Sequence, residues 1–90
     1  MGLLEGKVAI ITGAGSGVGK EHSLLLASEG ASVVVNDLGE SAEQTVSEII
    51  ELGGTAVSHS GNVADWNTGE DLVQKAINEF GDMHILINNA

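Results

Sequence analysis

Ninety residues carry 13 acidic and 3 basic side chains, none of the latter arginine, for a formal net charge of −10. That balance argues against DNA, RNA and anionic membrane surfaces as partners, because each calls for clustered cationic side chains. There is no cysteine, so disulfides and cysteine-ligated metals are excluded. No apolar run is long enough to span a bilayer. The start, Met1 to Lys7, is too short and acidic for a secretory signal, and Gly6 stands where N-myristoylation needs Ser or Thr. One domain and a cytoplasmic location are the expectations.

The first predicted element is a strand over Lys7–Thr12. Its run Val8-Ala9-Ile10-Ile11 is apolar and largely β-branched, as suits a parallel strand covered on both faces. The chain then enters Thr12-Gly13-Ala14-Gly15-Ser16-Gly17-Val18-Gly19 and a predicted helix over Val18–Ser28. A strand that ends in a glycine turn and continues into a helix aims free N–H groups and the positive end of a helix dipole at one point. Such a point suits a phosphate. Gly13, Gly17 and Gly19 fit a Thr-Gly-x-x-x-Gly-x-Gly spacing, wider than the shorter dinucleotide fingerprint. The plainer alternative is a flexible glycine-rich loop. A Walker-type loop is not expected, because Lys20 is followed by Glu21 rather than Ser or Thr.

A second strand is predicted over Ser32–Asn36, ending beside Asp37. That acid follows the glycine turn at about the 20-residue separation expected of a ribose-binding carboxylate. A carboxylate there accepts hydrogen bonds from both ribose hydroxyls and repels a 2′-phosphate, which favours NAD over NADP. The alternative for Asp37 is a turn or helix cap in Asn36-Asp37-Leu38-Gly39. A helix over Glu40–Leu52 follows, with Glu40, Glu43, Glu48 and Glu51 on its solvated face. Strand Thr55–Ser58, helix Trp66–Phe80 capped by Asp65, and strand His84–Asn88 complete the order. Gly30, Gly53-Gly54 and Gly81 stand where the helices should stop. Alternating strands and helices imply a doubly wound parallel α/β sheet of Rossmann type, in strand order 3-2-1-4. The order reverses between strands 1 and 4, so Gly13 and Asn88 fall at the expected ligand crevice.

With these pieces assembled, the chain resembles the short-chain dehydrogenase/reductase family over essentially its whole length. The glycine motif is Thr12 to Gly19, the Asp-Val or Asn-Val pair is Asn62-Val63, and the Asn-Asn-Ala-Gly motif begins as Asn88-Asn89-Ala90. The resemblance implies that Ser16 and Val18 meet the pyrophosphate, with Gly13, Gly17 and Gly19 shaping the turn. It further implies Asp37 on the adenine ribose, Asn62 at the adenine edge beside Val63, and Asn89 and Ala90 along the nicotinamide-side ribose. Asn62 as a turn residue is the alternative. The resemblance also implies that Asn88 ties neighbouring loops together by hydrogen bonds. The segment Val35-Asn36-Asp37-Leu38-Gly39 is also similar to the 3-hydroxyacyl-CoA dehydrogenase part of peroxisomal multifunctional enzymes.

The family's proton transfer uses a Ser, a Tyr-x-x-x-Lys pair and a further Asn, all beyond the Asn-Asn-Ala-Gly motif. This chain contains no tyrosine, and no catalytic residue is assigned within it. His22, His59 and His84 match no metal or triad spacing; His59 lies nearest the crevice, and no metal site is expected. Trp66 is expected to anchor the start of its helix. Residues 1–90 are thus expected to be the dinucleotide-binding Rossmann portion, cut before the catalytic segment, of an NAD-dependent oxidoreductase. That enzyme would interconvert hydroxyl and keto groups on a small molecule and act as a homo-oligomer at full length. The alternative is a non-catalytic truncated or split nucleotide-binding module. Ending at the fourth strand, the chain should expose an apolar sheet edge and be marginal, sticky or partner-dependent.

Overall fold

Period-two alternation of apolar side chains explains how one sheet carries helices on both of its faces. The computed structural model describes residues 2–89. Strands β1 (Val8–Ile11), β2 (Ser32–Asp37), β3 (Thr55–Ser60) and β4 (Ile85–Ile87) alternate with helices α1 (Gly17–Ser28), α2 (Ser41–Glu51) and α3 (Trp66–Phe80). All pairings are parallel, in the order β3-β2-β1-β4, with Val8 opposite Ser32, Ser32 opposite Thr55 and Ala9 opposite Ile85. This is the doubly wound sheet and the strand order that the sequence implied.

Ile11, Val33 and Val35 point to one face, where they pack with Ala27, Ala42 and Ile49 beneath α1 and α2. Val8, Ile10 and Val34 point to the other and meet Leu72 and Ala76 of α3. The continuous apolar runs of β1 and β2 are therefore two interleaved half-cores, the usual consequence of burying a parallel sheet on both sides. β4 lies at the sheet edge, and Leu86 in its centre is 56% exposed.

Boundaries differ from the sequence reading by one or two residues, for local reasons. β3 runs on to Ser60 because His59 and Ser60 pair with Asn36 and Asp37. β4 is shorter than His84–Asn88. The His84 imidazole Nδ1 accepts the Val8 N–H at 3.0 Å, while Asn88 turns its side chain toward Thr12. α2 begins at Ser41, with Glu40 at its N-cap. Glu48 does not belong wholly to the solvated face: its Oε2 lies 2.6 Å from Lys20 Nζ and links α2 to α1. Trp66 is no anchor, since it is 79% exposed.

Asp65 caps α3 as expected, its Oδ1 accepting the Asn67 N–H at 2.9 Å, and Gly81 closes the helix with φ +84°. Removing the cap by Asp65→Ala should cost about 1 kcal/mol, with a range of roughly 0.5–2. Chemical denaturation followed by circular dichroism reads this directly. A midpoint unchanged from the parent would mean that solvent serves the first turn of α3 equally well.

Candidate functional site

β1, β2 and β4 end side by side, and the loops leaving them meet. Gly13 and Gly17 have φ of +61° and +58°, in the left-handed region that side chains disfavour. Between them Ala14 is buried and bracketed. Its N–H donates to Asn36 O at 2.8 Å, and its carbonyl accepts the buried Thr45 hydroxyl of α2 at 2.9 Å. The glycine turn is thus clamped rather than flexible. Gly19 sits in the first turn of α1 directly on this loop. A Cβ there would stand 2.3 Å from Gly13 O and 2.7 Å from Asn89 Nδ2. The buried Ser23 hydroxyl donates back to Gly19 O at 2.9 Å.

The amino end of α1 is left open. Ser16 precedes it in an extended conformation and makes no side-chain cap, and the first turn contains no acid. The N–H groups of Gly17, Val18 and Gly19 therefore lack intrahelical acceptors and add to the positive end of the helix dipole. α3, capped by Asp65, shows the contrasting arrangement. A hollow of about 650 Å³ opens beside this end, lined by Gly15, Ser16, Val18, Lys20 and Gln44 among others.

Asp37 ends β2 and faces the same turn. Its Oδ1 accepts the Leu38 N–H and its Oδ2 the Gly15 N–H, each at 2.7 Å. The first bond is the local turn contact considered above. The second reaches the glycine loop, and the N-cap position of α2 is Glu40, so a helix-cap role does not describe this acid. Each oxygen retains acceptor capacity for a further donor.

Asn62 and Val63 lie beyond β3 on the far side of Asp37, whose carbonyl accepts the Gly61 N–H at 3.1 Å. Asn62 Oδ1 accepts the Ala64 N–H at 2.9 Å, so the turn role is present, and the side chain is exposed. Val63 packs against the α3-side core. At the end of β4 the Thr12 hydroxyl donates to Asn88 Oδ1 at 3.1 Å and accepts the Asn89 N–H at 2.9 Å. Asn89 Nδ2 donates to Gly13 O at 3.3 Å. Asn88 thus ties β4 to the turn, as anticipated. Ala90 lies outside the described residues.

The structure gathers Gly13, Ser16, Gly17, Val18, Gly19, Asp37 and Asn89 at the glycine turn, with Asn62 beyond β3 and Val63 packed against the α3-side core. His59 belongs to the scaffold instead. It is buried, with Nδ1 3.0 Å from Asn36 Nδ2 and Nε2 2.8 Å from Asp71 Oδ2. Asn36 can only donate through that amide nitrogen, so the ring accepts at Nδ1 and donates from Nε2. Among the described residues no group of three or more potential ligands is placed to hold a metal. Sequence reasoning singled out neither Thr12 as a linker nor Thr45 and Ser41 as supports. Thr12 was visible within the motif, but Thr45 and Ser41 carry no signal outside three dimensions.

A family model described as short chain dehydrogenase matches residues 7–90. The chain belongs to this family. It is 48% identical over 85 residues to cyclohexanol dehydrogenase of Acinetobacter sp. strain SE19, covering 93% of this chain and 34% of that protein. Peroxisomal multifunctional enzyme A of Dictyostelium discoideum is 49% identical over 94 residues, with 93% of this chain and 21% of that protein covered. The crystal structure of a short chain dehydrogenase from Mycobacterium avium superposes with a TM-score of 0.97 at 44% identity, covering 99% of this chain and 36% of that one. A hydroxysteroid dehydrogenase from Escherichia coli superposes with a TM-score of 0.94 at 44% identity, covering 97% of this chain and 37% of that one. The chain spans between 21% and 37% of the length of these proteins.

Proposed function

We propose that residues 1–90 form the dinucleotide-binding Rossmann portion of an NAD-dependent short-chain oxidoreductase that interconverts hydroxyl and keto groups on a small molecule. One observation carries this reading. The open amino end of α1 and the doubly held Asp37 carboxylate flank the same glycine turn, as a pyrophosphate and an adenosine ribose require. The residues fit the group chemically. Gly17, Val18 and Gly19 offer main-chain donors to phosphate, with Ser16 beside them. Asp37 would offer acceptors to the ribose hydroxyls, Asn62 its amide N–H groups to an adenine edge, and Asn89, with Ala90 after it in sequence, would serve the nicotinamide-side ribose. Bound there, NAD would supply hydride acceptance and donation. Asp37 disfavours a 2′-phosphate by charge repulsion.

The chain contains no tyrosine to serve as the family's proton-transfer phenol, so the acid–base step is assigned to no residue here. A cyclic secondary alcohol or ketone is the substrate class we favour, by similarity to a cyclohexanol dehydrogenase and to the 7alpha-hydroxysteroid dehydrogenase of Escherichia coli. A cytoplasmic, homo-oligomeric enzyme completes the reading. No helix among the described residues is long and apolar enough to cross a membrane.

The test is a titration of NADH and NADPH by calorimetry on the full chain and on Asp37→Ala. Loss of charged hydrogen bonds to the ribose, worth about 1.5–3 kcal/mol, should weaken NADH at least about tenfold and narrow its advantage over NADPH. Unchanged NADH affinity in the variant would sink the cofactor assignment.

A further inference from the structure

We propose that Gly15 and Ser41 act as a steric pair that fixes the Asp37 carboxylate and thereby sets the preference for NAD over NADP; this rests on the cofactor reading above. Gly15 is not one of the left-handed glycines, so its backbone angles do not demand glycine. The demand is for space. A Cβ at position 15 would lie 2.2 Å from Ser41 Oγ, 2.5 Å from Ser41 Cβ and 2.6 Å from Asp37 Oδ2. A hydroxyl and a carboxylate tip can swing aside, but Ser41 Cβ moves only if the first residue of α2 moves.

Two bonds depend on that empty space. The Gly15 N–H holds Asp37 Oδ2 at 2.7 Å. Ser41 Oγ donates to Leu38 O at 3.4 Å, closing the turn that follows the acid. A side chain at position 15 therefore displaces either the carboxylate or the start of α2, and both displacements shift the charge away from the ribose. The main-chain donors of α1 stay where they are. The consequence falls on discrimination at the 2′ position more than on general nucleotide affinity. Gly15 and Ser41 are positioning residues, acting through Asp37.

The experiment compares the full chain with Gly15→Ala, Ser41→Gly and the double variant. NADH and NADPH are titrated by calorimetry, and the residue-15 amide proton is followed by NMR without nucleotide. Gly15→Ala should weaken NADH about tenfold and NADPH less than about twofold, the size expected from one lost charge-assisted bond. Its residue-15 amide should lose the shift imposed by the carboxylate. Ser41→Gly alone should lower the NADH-to-NADPH ratio less than Gly15→Ala does, because it loses the Leu38 turn bond while the Gly15 N–H still holds Asp37 Oδ2. In the double variant it should restore only the part of the ratio lost to the displaced start of α2, since the Cβ at position 15 still stands 2.6 Å from Asp37 Oδ2. A Gly15→Ala protein with the parent's ratio, while Asp37→Ala abolishes it, overturns this proposal and spares the cofactor reading. Insensitivity of NADH to Asp37→Ala overturns both. If Gly15→Ala does not fold, the double variant must. A double variant that stays unfolded, or that regains none of the ratio, also overturns the pairing.

Discussion

Ile10→Ala is expected to lower stability by about 2–5 kcal/mol, the range for deleting a buried branched side chain and leaving a cavity. Ile10 is fully buried in the middle strand of the α3 face. Among the described residues the buried part of that half-core is Val8, Ile10, Val34, Leu72 and Ala76, with partly buried side chains such as Val57 and Phe80 packed against it. One helix, α3, covers this side, and Trp66 and Ile77 on it are exposed. Ordinary domains have a total stability of about 5–15 kcal/mol, and small ones bury proportionally less surface, so this one change should remove much of what is available. Ile10→Val, which removes a single methylene, should cost about 0.5–1.5 kcal/mol and provides the scale. Urea unfolding followed by circular dichroism measures both. A midpoint for Ile10→Ala equal to that of Ile10→Val would mean that the α3 face is loosely packed and that the cavity closes.

The architecture was legible because its signals are local and repeat. β-branched runs ending in Gly13 or Asp37, with glycines at Gly30, Gly53 and Gly81, mark strands, turns and helix ends without reference to the rest of the chain. The crevice was legible for a related reason. In a doubly wound sheet the carboxyl ends of the strands coincide, so motifs far apart in sequence converge once the strand order is known. What sequence could not show are contacts between elements that no periodicity links. Glu48 reads as one more acid on a polar helix face, yet it lies against Lys20. Trp66 reads as a residue to bury, yet its placement at the start of α3 turns it outward. His59, the histidine nearest the crevice, is held between Asn36 and Asp71, and only the β2–β3 register brings Asn36 beside it. Gly15 reads as one more glycine of the turn, yet a Cβ there would meet the side chain of Ser41, on another element.

Gly19→Ala carries the other large expected effect, and there two effects of opposite sign compete. Alanine is favoured over glycine inside a helix by about 1 kcal/mol, and Gly19 lies in the first turn of α1. Against this, the added Cβ would stand 2.3 Å from Gly13 O and 2.9 Å from Gly13 C, both backbone atoms that cannot rotate away. Overpacking of this kind costs about 1–3 kcal/mol, and more where the obstacle is main chain, so the steric effect wins. Relief requires α1 to lift from the turn. Lifting also strains the Asn89 amide on Gly13 O and, through it, the Thr12 link to β4. The variant should therefore melt lower than the parent and bind NADH at least about tenfold more weakly, because a 1.4 kcal/mol loss of fit is already a factor of ten. Gly17→Ala separates sterics from backbone angle. Among the described residues, nothing beyond its chain neighbours and its own helix backbone lies within 4 Å of its Cβ position, but its φ is +58°, so it should lose only the left-handed penalty of about 1–2 kcal/mol. Melting curves and NADH titrations of the two variants in parallel decide the matter. If Gly19→Ala proves as stable as the parent and binds equally well, the close seat of α1 on the turn is not what positions the phosphate donors.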